Sequence, residues 1–289
     1  GAIASQNDTV ALGVRSNASA TNAVAIGNGS ASSGISAVAM GKSAISSGDN
    51  AIAIGNSANA SSAESIAMGT SATSGGRSVT IGSSAAAISS DSVAIGFSAK
   101  ASSLSTVSIG NTSTASAANA VAMGGVATAS GDSATALGSY ANASGIYSVA
   151  VGKLSKASAT NAVAMGPQAN ASGDSAVAIG VDSVVSGKFS VAMGGNSRAA
   201  GASALALGPL ANAAADNAVA MGNGAIASNA NAVALGSGST TAAAVATTGD
   251  TINFTTHTYA GIAPASTVSV GGVGAERTIT NVAAGRVSA

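Results

Sequence analysis

The chain has 289 residues with no Trp, three Phe, three Tyr, no Cys and a formal net charge of zero. So few large side chains exclude a conventional aromatic-rich core. The zero charge removes any electrostatic case for nucleic acid or an anionic membrane surface, and no disulfide can form. Charged residues are only 7%, against about 25% in an average soluble protein. Disordered and silk-like chains share such a composition, but here Val, Ile, Leu and Met are strictly periodic, which argues for order. No run of about 18 apolar residues appears, and no signal peptide is visible at Gly1. The chain begins and ends within its pattern, so it reads as a piece of something longer.

From the N-terminus, a short apolar motif closes on glycine at 13, 27, 41, 55, 69, 82, 96, 110, 124, 138, 152, 166, 180, 194, 208, 222 and 236. Every step is 14 residues except the one from Gly69 to Gly82, which is 13. A fixed period of this extent marks a stacked repeat rather than a single globule. The residue one before each closing glycine is Leu, Ile, Val or Met, and all six methionines stand in that column. Three before is Val, Ile or Leu, with Thr135 the exception; two and four before are small. This alternation is a strand, and both of its faces are apolar.

After each glycine comes a second, shorter strand. Its positions three and five beyond the glycine are mostly Ala or Ser, and a polar column lies between them, as at Asn59, Thr73, Lys100, Asn142 and Arg198. A second turn follows, with Gly34, Gly48, Gly131, Gly145, Gly173, Gly187 and Gly201, and with Asp49, Asp132 and Asp174 after three of these. Each unit therefore reads strand, turn, strand, turn: one rung of a two-sheet parallel solenoid, with like strands about 4.8 Å apart. The expectation is that the Val and Ile/Met side of the first strand fills the roll. The Ala/Ser side would then be an exposed strip, which soluble monomers rarely carry, so identical chains should cover it in a closed ring. In the 13-residue rung the missing residue should come from the turn at Ser74–Arg77, since a loss within a strand would flip every following side chain.

Beyond Gly236 the period breaks. Val268-Ser269-Val270-Gly271 restores the motif 35 residues later, which is 14 plus an insertion of 21. Gly249-Asp250 signals a turn there, and Phe254, His257 and Tyr259 lie in the extra segment, which should project as a β-hairpin. No constellation of chemistry appears. His257 has no nucleophile or orienting group beside it. One His without Cys cannot make a usual zinc site. The Gly-rich runs spell neither a dinucleotide fingerprint nor a phosphate loop. No enzyme and no cofactor are expected.

The run Ser92-Val93-Ala94-Ile95-Gly96-Phe97-Ser98-Ala99 and its relatives resemble the head repeats of trimeric autotransporter adhesins, the YadA-like surface proteins of Gram-negative bacteria. The resemblance covers about residues 9–240. It implies an all-β, left-handed parallel β-roll of 14-residue rungs, packed as a homotrimer. Asn281-Val282-Ala283-Ala284-Gly285 is similar to the start of the family's neck, and the insertion looks like its head insert motif. The implied organisation is head repeats at 1–241, insert at 242–266, and a last rung with the beginning of the neck at 267–289. The trimer contacts are expected on Ala25, Ala53, Ala94, Ala122, Ala164, Ala192 and Ala220, with Phe254 and Tyr259 either packed or touching ligand. The implied role is a cell-surface adhesin head, the secreted passenger of an outer-membrane autotransporter. It would bind a matrix protein such as collagen, fibronectin or laminin and be tied to membrane only through an absent C-terminal anchor. The alternative is a structural spacer that displays another adhesive domain.

Overall fold

The computed structural model describes residues 1–259 and 261–283. It is a parallel β-solenoid of about 17 turns, with no helix among the described residues. The chain falls into two compact units, Gly1–Ser175 and Ala176–Ala289. In the first, three-residue strands run from Val10–Leu12 to Val163–Met165 and alternate with two-residue strands from Ile3–Ala4 to Asn170–Ala171. Each strand pairs in parallel with its own kind one rung on. Val149, Ala150 and Val151, for example, lie against Val163, Ala164 and Met165. Two ladders therefore run up the unit, one on either side of the roll. The second unit repeats the plan from Val177–Ile179 to Val233–Leu235.

The interior is made almost wholly of alanine, serine and threonine. In one rung Ala141, Ala143, Ser148 and Ala150 converge from the two sheets, and all four are at 0% exposure. The largest fully buried side chains are Val185, Thr80 and Thr106. Here the sequence-based expectation is inverted. Ala25, Ala53, Ala94, Ala122, Ala164, Ala192 and Ala220 are sealed inside the roll, so none of them can reach another subunit. The Val and Ile/Leu/Met columns face outward instead.

The reason is thickness. Thr80 Oγ1 donates to the carbonyl of Thr73 on the opposite strand at 3.0 Å. Ser32 Oγ reaches the Ala37 carbonyl at 2.9 Å, and the hydroxyls of Ser108 and Ser113 meet directly at 2.8 Å. A side chain of two or three heavy atoms already spans the gap between the sheets. Valine facing isoleucine would not fit, and period-2 alternation then sends both to the outer face.

The short rung keeps its columns. Ile66, Ala67 and Met68 pair with Val79, Thr80 and Ile81, which pair in turn with Val93, Ala94 and Ile95. The lost residue comes from the turn between Thr73–Ser74 and Val79–Ile81, as the alternation argument requires. Turns elsewhere are stitched by the buried serines. Ser16, Ser30, Ser113, Ser155, Ser183 and Ser197 each donate their hydroxyl to the carbonyl of the closing glycine three residues back.

Past Thr241 the chain leaves the ladders. Gly249–Ile252 and Thr255–Thr258 form an antiparallel pair. The turn is at Asn253-Phe254, both with positive φ, and not at Gly249-Asp250, which opens the first strand. A two-residue loop with both φ positive is the connection whose twist suits a hairpin. Val268 and Ser269 then rejoin, pairing with Val233 and Ala234.

Candidate functional surface

Since the interior holds only small side chains, everything large is displayed. Along the three-residue strands of the first unit, Val or Ile (Thr only at 135) and then Ile, Leu, Met or Val face outward as a strip that recurs on every rung. Its valines are half-buried against neighbouring rungs, while Met123 and Met165 are 40% and 42% exposed. The outer face of the two-residue strands is mixed, carrying Thr114, Thr128, Asn142, Lys156 and Asn170 on successive rungs.

The corners are the third surface. Two residues after each closing glycine, and five before the next, the backbone adopts positive φ. Ser, Asn and Gly fill most of these places, as left-handed geometry favours. Several positions break that rule: Val126, Tyr140, Tyr147, Leu154, Phe189 and Leu210 all sit at φ between 56 and 60°. Tyr140 and Tyr147 stand at opposite corners of one rung, 54% and 62% exposed. Phe189 carries the Lys188 ammonium 4.9 Å above its ring. These aromatics were not singled out from the sequence. Their signal was there: Tyr140 lies two residues after Gly138, a turn slot that holds Ser at 43, 57, 71, 84 and 98.

Some charged groups at the corners serve the stack. Asp49 and Asp216 accept the backbone N–H of Ile35 and Ala202, each one rung back, at 2.8 Å. Arg77 pairs with Asp91 one rung on, also at 2.8 Å, an exposed pair that contributes little. Among the described residues no three His, Cys, Asp or Glu side chains gather as metal ligands. His257 lies opposite Asp250 in the hairpin.

Phe254, at the hairpin tip, is fully exposed, and Tyr259 is partly so; Phe254 is covered by none of the described residues. Asn281, Val282 and Ala283 are exposed, while Ala284 and Gly285 of the neck-like run lie outside the described residues. Glu276 accepts the Gly274 N–H at 2.9 Å, and that bond holds its carboxyl below the ordinary carboxylate range.

The chain matches the YadA head domain repeat over residues 4–30, 32–72, 87–127 and 129–239. The gap at 73–86 falls on the 13-residue rung. The autotransporter adhesin BtaE of Brucella suis is 68% identical over 44 residues, which is 15% of this chain and 6% of that protein. The chain thus matches only a small part of that relative's length. Among solved structures, the C-terminal YadA-like domain of BPSL2063 from Burkholderia pseudomallei is 50% identical over 32% of this chain and 37% of that one, with a TM-score of 0.24. The collagen-binding domain of the Yersinia adhesin YadA is 24% identical over 73% and 75%, with a TM-score of 0.23. The repeat matches span most of the sequence, and the chain belongs to the YadA head domain repeat family, whose heads are surface-exposed passenger domains, structural and not enzymatic.

Proposed function

We propose that this head assembles as a homotrimer and attaches to a host matrix protein such as collagen, fibronectin or laminin. The assembly reading is carried by the outward Val/Ile/Met strip, which recurs rung after rung and is half-exposed in the single chain. Patches of that extent on soluble proteins mark interaction sites, and a closed ring of identical chains covers them without leaving an open edge. The contact residues on this reading are Val121, Met123, Val149, Val151, Val163 and Met165 and their equivalents, in place of the alanine column.

The binding reading rests on the corner aromatics. Tyr140 and Tyr147 are exposed and set on positive-φ backbone, and aromatic side chains dominate binding hot spots. Repeated rungs on three chains would present many weak equivalent contacts. The test is solid-phase binding of the fragment to collagens, laminin and fibronectin, with a Tyr140→Ala/Tyr147→Ala variant alongside. The expected result is binding to at least one matrix protein, weakened several-fold in the variant. An intact trimer that binds none of them would leave the spacer role, which the many Ser and Asn corner positions also suit.

A further inference from the structure

A solenoid has an unsolved problem at its last rung, where carbonyls that should accept from the next rung have no partner. Within the second unit the regular pattern is clear. The N–H two beyond a closing glycine donates to the carbonyl one beyond the previous glycine: Asn196 to Val181, Leu210 to Gly195, Gly224 to Pro209 and Gly238 to Asn223. The closing glycine's own N–H donates to the carbonyl just before the previous glycine, as Gly208 does to Met193 and Gly236 to Met221. By this rule the orphans at the last regular rung are the carbonyls of Ser237 and Leu235. Gly271, the glycine that should supply the next bonds, does not stack there. A Cβ built on Gly236 would meet Arg277 Nη1 at 3.1 Å. At the closing glycines from Gly180 to Gly222, the same Cβ would meet the backbone of the next closing glycine.

We infer that Arg277 and Ser239 together form a side-chain cap that replaces the missing rung. Arg277 Nη2 donates to the Ser237 carbonyl at 2.5 Å, taking the place of the absent amide. Ser239 Oγ donates to the Leu235 carbonyl at 2.8 Å, replacing the other. Six serines in the same column turn their hydroxyls to the closing glycine instead, so Ser239 is re-aimed. Arg277 Nη1 holds it there at 3.0 Å and also donates to the Val270 carbonyl at 2.6 Å. One planar guanidinium thus ties the last turn, the rejoining strand and the chain beyond it. Lysine has no such fork.

Amide hydrogen exchange on the full chain tests this. In Arg277→Ala the amides of residues 236–241 are expected to exchange about tenfold faster, the scale of losing one charge-assisted hydrogen bond. Arg277→Lys should recover little of that. Ser239→Ala, in a column that holds alanine at 141, 169 and 211, should accelerate the same amides without disturbing the interior. Protection at Val149–Gly166 should stay unchanged in all three. Unaltered exchange at 236–241 in Arg277→Ala would overturn the cap. So would an acceleration spread evenly over every rung, or full protection by lysine.

Discussion

At the scale of single residues, the closing glycine is the most constrained position in the chain. Gly96 has φ of +130°, and a Cβ there would come within 2.5 Å of the Gly110 carbonyl oxygen. Both the backbone angle and the neighbouring rung exclude any side chain, and the carbonyl, being backbone, cannot move aside. Gly96→Ala is expected to cost about 3 kcal/mol or more, the sum of a sparsely populated backbone geometry and a hard contact; a large fall in the thermal midpoint checks it. The corner residues are strained in a milder way. Val126 is β-branched at φ of +59°, where only Gly, Asn and Asp are at ease. Val126→Asn, which copies Asn196 in the same turn slot, is expected to stabilise by about 1 kcal/mol. A midpoint that falls in guanidinium titration would show that Val126 makes packing contacts worth more than its strain.

At the scale of the rung, four small side chains fill a space one side chain deep. Hydrophobic burial per rung is therefore slight, and order comes from ladder hydrogen bonds and serine-stitched turns. Serine and alanine should then be nearly interchangeable inside, and enlargement should not be tolerated. Ala164→Ser places a hydroxyl in a column that already holds Ser108 and is expected to shift stability by less than about 1 kcal/mol. Ala164→Leu must push the two sheets apart and is expected to cost about 3 kcal/mol or more. Denaturation followed by far-UV circular dichroism separates the two; equal effects would mean the interior is roomier than its hydroxyl contacts show. The 13-residue rung follows the same logic, since a turn can shorten while a strand cannot without exchanging its faces.

At the scale of the molecule, the outward strip decides how the chain lives in water. Met123 and Met165 stand in it. A Met123→Lys/Met165→Lys double variant is expected to lower the sedimenting mass from trimer toward monomer at micromolar concentration, because each lysine would be desolvated without a partner. Each rung should remain folded, because both substitutions lie on the outer face. A wild-type chain that sediments as a monomer would sink the trimer reading. A double variant that stays trimeric would move the contact surface to another column.

Much of the architecture was readable in the residue columns. The period, the two strands per rung, the intact strand beside the short step, and the departure and return around the insertion follow from spacing and alternation alone, because parallel in-register stacking puts each residue on its counterpart. The direction of the three-residue strand did not follow. Alternation says that Ala164 and its neighbours Val163 and Met165 face opposite ways, but it does not say which way is in. Size was the misleading cue: large apolar residues usually fill cores, and here the sheets lie too close for them, as the Thr80 and Ser108 contacts show. The hairpin turn was likewise displaced, from Gly249-Asp250 to Asn253-Phe254, because cross-strand pairing and not the strongest local turn residues set the register. Arg277 looked like any exposed cation in the sequence. Only the tertiary structure brought it across 40 residues to the carbonyl of Ser237, since the place it fills exists only where the stack of rungs ends.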